Sequence, residues 1–191
     1  LTPNDEAYKA QYYSYLMNGL LTQTIRIKEG DKIEEAHMRN RALIAWWTLE
    51  HAEGAVELVT EEVSYASADD ALKDAEGNII TTRTYVKVND YEKLRHLFGE
   101  LLAEIQRIKS EGDYEAARQL VEKYAVNIDP ALHREILARY KKLNLAPYKG
   151  FINPKMTLQY DEEGTPTDVL LDYEESYTDQ MLRYSDEYGT L

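Results

Sequence analysis

Apolar side chains recur every three or four positions along most of the chain, and this period predicts a mainly helical protein. Residues 4–27 carry the first such stripe, and Asn4 with Asp5 is typical of a helix start. A second helix is expected from Asp31 to about Glu53, because Asp31 is a favourable cap. This second helix is apolar on two opposite sides, which is typical of a helix inside a domain.

Three more helices are expected in the middle of the chain and one at its end. Each is preceded by residues that favour a helix start, either an Asp cap or a capping box. These residues are Asn89 with Glu92, Asp113, Asp129 with Pro130, and Asp172 with Glu175. The helix that follows Asn89 has the clearest apolar face, from Tyr91 to Ile108.

Two short regions change to a period of two and are rich in β-branched residues, which is typical of strands. Residues 56–60 and 82–88 form the first pair, with residues 61–77 expected to be an exposed insertion. The second pair is 155–160 with 168–172. The expected fold is therefore mainly α, a helical domain of about six helices with one or two small β-hairpins, and residues 1–191 are expected to form a single domain.

Composition excludes several classes of function. The net charge of −13 and the scattered Lys and Arg residues argue against a nucleic-acid partner. No apolar run is long enough for a membrane helix, so no membrane partner is expected. The chain has no cysteine and only four histidines, so any metal site has to use His and carboxylate ligands.

The residues best placed for chemistry lie on the second predicted helix. His37 and Arg41 are one turn apart and Asn40 lies beside them, so three hydrogen-bonding groups are expected to project from a largely buried helix. A buried guanidinium needs a partner, so Arg41 either forms an ion pair or faces a polar cleft. The structural alternative is that Arg41 pairs with a carboxylate and His37 is a satisfied core histidine.

A second candidate is Lys149, which lies between Pro147 and Pro154 in an irregular segment. A cation on such a constrained loop is suited to bind a substrate carboxylate, and the alternative is a solvated surface lysine. The other three histidines are each isolated and are expected to be solvated. They are His51, His96 and His133.

Three segments together resemble the C-terminal region of bacterial dipeptidyl peptidase III, and the resemblance spans nearly the whole chain. They are 35–41 (Glu-Ala-His-Met-Arg-Asn-Arg), 97–114 (beginning Leu-Phe-Gly-Glu-Leu-Leu) and 145–154 (Leu-Ala-Pro-Tyr-Lys-Gly-Phe-Ile-Asn-Pro). The motif His-Met-x-x-Arg is shared with the animal enzymes. The resemblance implies that this chain is the C-terminal part of the catalytic upper lobe.

In that family a zinc ion is held by two His of a His-Glu-x-x-x-His helix and a Glu of a later helix, both upstream of the region matched here. The resemblance therefore implies zinc in the full-length parent and no metal in this chain. It implies that His37 hydrogen-bonds the substrate near the scissile carbonyl and helps to stabilise the transition state. It also implies that Arg41 and Lys149 bind substrate, and Asn40 is expected to join them. Animal members have an arginine before the lysine, where this chain has Tyr148.

The leading hypothesis is a parent enzyme of the cytoplasm that removes dipeptides from the N-termini of oligopeptides by zinc-activated water attack. This chain would supply substrate-binding residues, have the missing N-terminal lobe as its partner, and be inactive alone. The alternative is a non-catalytic helical protein-interaction module whose tyrosine-rich faces bind a partner. A third hypothesis, a standalone His/carboxylate metalloenzyme, requires bound metal in the purified chain, and none is expected.

Overall fold

The structure is a computed structural model that describes residues 5–143 and 154–188. The chain divides into two compact units, Leu1–Leu145 and Ala146–Leu191. A single domain was expected from the sequence. The helices are α1 Glu6–Leu20, a 3-10 helix Thr22–Arg26, α2 Ala36–His51, α3 Tyr91–Glu111, α4 Tyr114–Tyr124, α5 Pro130–Leu143 and α6 Tyr177–Tyr188. The strands are β1 Val56–Glu62, β2 Thr82–Val88, β3 Lys155–Tyr160 and β4 Pro166–Asp172.

The predicted fold class is confirmed, since the described residues form six α-helices and two antiparallel two-stranded sheets. β1 pairs with β2 in the first unit, and β3 pairs with β4 in the second. None of the helices in the described part of the chain is long and apolar enough to cross a membrane.

The two N-terminal helices are shorter than predicted. α1 ends at Leu20 instead of near Ile27, and a 3-10 turn follows it. α2 begins at Ala36, so the prediction of a start at Asp31 is wrong. The reason is tertiary, because Ile33 is buried and its N–H donates to the carbonyl of Val126 at 3.0 Å, which holds the residues before α2 outside the helix.

Of the four caps predicted for the later helices, α3 to α6, two are confirmed and two are wrong. Asp113 accepts a hydrogen bond from the N–H of Ala116, and Asp129 accepts one from the N–H of Leu132. The cap of α3 is Asp90, one residue after the predicted Asn89. At α6 the hydroxyl of Ser176, and not a box of Asp172 with Glu175, accepts from the N–H of Asp179.

The hydrophobic core of the first unit lies where α1, α2, α3 and α5 meet. Its buried members include Leu16, Leu20, Ala45, Leu94, Leu97 and Ile136. α1 and α2 approach closely at Gly19, where an added Cβ would lie 2.5 Å from the carbonyl oxygen of Arg41. Glycine is therefore needed there for the two helices to pack at this distance.

The β1–β2 hairpin is attached to α5 by a buried polar cluster. Glu135 is buried, accepts a hydrogen bond from the N–H of Thr84 at 2.7 Å, and pairs with Arg139. Arg139 also donates to the carbonyl of Thr84. The long connection between the strands is not simply an exposed insertion, as residues 61–77 were predicted to be, because Ala71 and Leu72 within it are buried.

The second unit consists of the β3–β4 hairpin and α6. The strands pair from Lys155 with Asp172 to Tyr160 with Pro166, with an irregularity after Gln159. Every residue of both strands is exposed. Within this unit Arg183 of α6 forms an ion pair with Glu175 at 2.8 Å.

Candidate functional site

The candidate site is the outward surface of the first two turns of α2. Its position follows from the start of that helix, which is capped by Glu35. Glutamate is not among the preferred caps, yet its carboxylate here accepts from two of the free N–H groups that begin every helix. One oxygen accepts from the N–H of His37 at 2.9 Å and the other from the N–H of Met38 at 2.8 Å.

The same carboxylate also contacts the ring of His37. Nδ1 of His37 lies 2.7 Å from Oε1 of Glu35. These hydrogen bonds, first of all the one from the backbone N–H of His37, lower the pKa of Glu35 from 4.5 to about 2. An ionised carboxylate only accepts hydrogen bonds, so Nδ1 is the protonated nitrogen and Nε2 is left for another partner.

The side chain of His37 is strongly exposed, at 84%, and that of Glu35 is half exposed. The structural alternative, in which His37 is a satisfied core histidine, is therefore wrong. The expectation that His37 projects from a largely buried helix is also wrong for this turn, because α2 becomes buried only from Ala42 onward. One side of the first two turns faces solvent in this chain.

Arg41 lies one turn after His37 and is partly buried. Its guanidinium has no ion-pair or hydrogen-bond partner among the described residues, which contradicts the alternative of a structural pair with a carboxylate. The backbone of Arg41 packs against Gly19 of α1. The residue is thus anchored through its main chain while its charged group remains available.

Asn40 completes the group and is held from α1. The hydroxyl of Tyr15 donates to Oδ1 of Asn40 at 2.8 Å. Burial raises the pKa of Tyr15, and the nearby charge of Arg41 opposes that rise, so the hydroxyl remains a donor and lies in the field of the guanidinium. Because its oxygen is occupied by Tyr15, Asn40 has its amide N–H groups left for a ligand.

A further contact to the first turns of α2 comes from the 3-10 helix that follows α1. Gln23 is buried, and its Nε2 donates to the carbonyl of Gly19 and to that of Met38, each at 3.1 Å. Together with Tyr15 and Gly19 it forms a strip of residues four apart along α1 and the turn after it. This strip holds the first two turns of α2 in a defined position.

The structure brings together three of the four predicted site residues, His37, Asn40 and Arg41, on one helical surface. Lys149 lies outside the described residues, so its place beside them stays a prediction. Sequence reasoning missed Glu35 and Tyr15. A glutamate two residues before a histidine was a visible signal for the first, whereas Tyr15 is 25 residues from Asn40 and carries no local signal.

The other histidines differ from one another. His51 and His96 are exposed, as predicted. His133 was expected to be solvated, and this is wrong, because it is 2% exposed and its Nε2 donates to the carbonyl of Thr24 at 3.0 Å. Among the described residues no three His, Asp or Glu side chains are placed to hold a metal ion.

One apolar groove of about 480 Å³ lies between α1, β2 and α5, lined in part by Met17, Tyr85 and Ile136. The candidate site itself lies at the surface, because His37 and Asn40 are exposed and Arg41 is partly exposed. Neither a comparison with families of known proteins nor one with curated proteins finds a match.

Proposed function

We propose that this chain is the C-terminal part of a zinc-dependent exopeptidase of the dipeptidyl peptidase III type, and that its α2 surface forms one wall of the peptide-binding cleft. The observation that supports this most directly is the exposed imidazole of His37 one turn before Arg41, whose guanidinium has no partner among the described residues. Both belong to the His-Met-x-x-Arg motif on which the resemblance rests. Charged and hydrogen-bonding groups that the fold itself does not use are typical of a binding surface.

The chemistry of the three side chains suits an extended peptide. The amide group of Asn40 and the guanidinium of Arg41 offer donors to backbone carbonyls or to a carboxylate. His37 offers Nε2, which accepts from a peptide N–H when the ring is neutral and donates when the ring is charged. A donor aimed at the oxygen on which negative charge develops is the usual way to accelerate acyl transfer. Because Nδ1 faces Glu35, Nε2 supplies that donor in the charged form of the ring. Lys149 is proposed as a further contact to the same oligopeptide.

The zinc belongs to the part of the enzyme that precedes this chain. When bound there it activates the attacking water. We propose that this chain supplies none of the ligands of that zinc. Its own residues bind and orient the peptide, and we propose that the chain alone is inactive without the N-terminal lobe. A cytoplasmic location remains part of the same proposal.

The test is the substitution His37→Ala in the full-length enzyme. We expect kcat for release of dipeptides to fall about 100-fold, the effect of removing one transition-state donor, while the zinc content is unchanged. His96→Ala is the matched control, because His96 is also exposed but lies on a different helix, α3, where its ring contacts Glu100. Unchanged turnover in His37→Ala, or absence of dipeptide release by the wild-type enzyme, contradicts the proposal.

The second candidate function is a non-catalytic helical protein-interaction module. One observation favours it, namely an apolar face on the second hairpin whose members are all exposed. They are Met156, Leu158, Tyr160, Val169 and Leu171. This candidate predicts that Leu158→Ser abolishes binding of the chain to a partner, whereas Arg41→Ala has no effect on that binding. Pull-down with each variant distinguishes it from the peptidase.

A further inference from the structure

The contact between Glu35 and His37 serves two purposes that can be separated. As the cap of α2, the Glu35 carboxylate satisfies the N–H groups of His37 and Met38. As a ring partner, the same carboxylate lies 2.7 Å from Nδ1 of His37. A residue that only caps the helix has no need to contact the imidazole, since Ser or Asp caps a helix at least as well.

The ring contact has a chemical consequence. A histidine in water exchanges its proton between the two nitrogens, whereas an acceptor fixed at Nδ1 keeps the proton there. Nε2 then faces away from Glu35 with its lone pair in the neutral ring and with an N–H in the charged ring. Glu35 is ionised at neutral pH, as an ordinary glutamate is, and its hydrogen bonds with His37 and Met38 lower its pKa further, to about 2.

We propose that Glu35 is a positioning residue for His37, which fixes its ring orientation and tautomer so that Nε2 is the atom presented to the peptide. This inference rests on the proposed function for its catalytic meaning. The contact itself is independent of that function. Carboxylates that orient a functional imidazole in this way are a recurring arrangement in enzymes.

The four histidines of the chain provide an internal standard for a direct test. His51 has Nδ1 2.8 Å from the carbonyl of Trp47, so its Nδ1 is protonated. His133 donates from Nε2 to Thr24, and Nε2 of His96 faces Glu100. Long-range proton–nitrogen correlation spectra of the 191-residue chain distinguish these tautomers. We expect His37 to resemble His51, with Nδ1 protonated when the ring is neutral.

The decisive variant is Glu35→Ser, because serine retains a strong cap but is too short to contact the ring. We expect the helix signals of α2 to persist while His37 shifts toward the Nε2-protonated form of a free imidazole. Glu34→Ser, at the exposed neighbouring glutamate, is the control and leaves the tautomer unchanged. An Nε2-protonated His37 in the wild type, or no shift in Glu35→Ser, overturns the inference.

The same variants in the full-length enzyme test the catalytic meaning. We expect Glu35→Ser to lower kcat about 10-fold with little change in KM, and Glu34→Ser to have no effect. If His37→Ala impairs turnover and Glu35→Ser does not, the positioning role is overturned and the proposed function stands. If His37→Ala has no effect, the proposed function fails, and the spectra still decide whether Glu35 fixes the ring.

Discussion

The two β-hairpins of the molecule have similar strands and very different surroundings. β1–β2 contains buried residues at Val56 and Thr84, and α5 contacts it through Glu135 and Arg139. β3–β4 has the same antiparallel pairing and no buried residue in either strand. The pairing of strands is thus set locally, whereas the stability of a hairpin depends on what covers it.

This contrast separates two sources of stability. The first hairpin is held by burial of apolar side chains and by polar contacts of Thr84 with Glu135 and Arg139, which lie 51 and 55 residues further along the chain. The second hairpin depends on its turn and its cross-strand contacts, and a two-stranded sheet alone is marginally stable in water. We therefore expect the amides of β3 and β4 to exchange with solvent much faster than those of β1 and β2.

The largest expected effect is that of removing the carboxylate that attaches the first hairpin. Glu135→Ala leaves the N–H of Thr84 and the guanidinium of Arg139 without their buried partner. We expect the free energy of opening of β1–β2 to fall by about 3–5 kcal/mol, as for a broken buried pair. Hydrogen exchange of the amides of β1 and β2 measures it.

The control for this substitution lies on the solvent side of the same hairpin. Glu61 accepts a hydrogen bond from the hydroxyl of Tyr85 and is exposed. Glu61→Ala is expected to change the same free energy by no more than about 0.5 kcal/mol. Equal losses in the two variants would mean that the buried cluster does not hold the hairpin.

A smaller loss of hairpin stability is expected from replacing one of two valines, one in each hairpin, with alanine. Val56 in β1 is 2% exposed and Val169 in β4 is 43% exposed. Val56→Ala should lower the free energy of opening of its hairpin by roughly 2 kcal/mol, from lost burial and the cavity left behind. Val169→Ala should change that of its own hairpin by less than about 0.5 kcal/mol.

The result for Val169 also tests whether the second hairpin stays uncovered in solution. A loss as large as that of Val56→Ala would show that its apolar face is packed against something. Repeating the exchange measurement over a range of protein concentrations would then identify or exclude a second copy of the chain as that cover.

The difference between the hairpins also explains what sequence can and cannot predict. Both were predicted from alternation of apolar and polar residues, because strand pattern is local. The burial of His133 was not, because its partner Thr24 is 109 residues away. The start of α2 was misplaced for the same reason, since the N–H of Ile33 is drawn to the carbonyl of Val126.

The candidate site shows the same difference between local features, which the sequence predicts, and tertiary features, which it does not. The spacing of His37, Asn40 and Arg41 predicts that they lie on one surface, because the helical repeat determines which residues share a face. Their exposure depends on where α2 begins and on which elements cover it. The sequence predicted a buried helix, and this is wrong for its first two turns. The role of Glu35 depends on the orientation of a side chain, which a residue pattern does not specify.

The smallest effect is expected at the turns, where a glycine is required by the backbone. Gly164 joins β3 to β4 with φ of 81°, and Gly77 lies in the long connection of the first hairpin with φ of 89°. An alanine has room at either position but is strained in this conformation by about 1 kcal/mol.

Gly164→Ala should therefore speed hydrogen exchange of the amides throughout β3–β4, because the turn is a large part of what stabilises that hairpin. Gly77→Ala should leave the amides of β1 and β2 unchanged, because α5 holds those strands independently of their connection. Equal responses in the two hairpins would contradict the distinction between local and tertiary stabilisation.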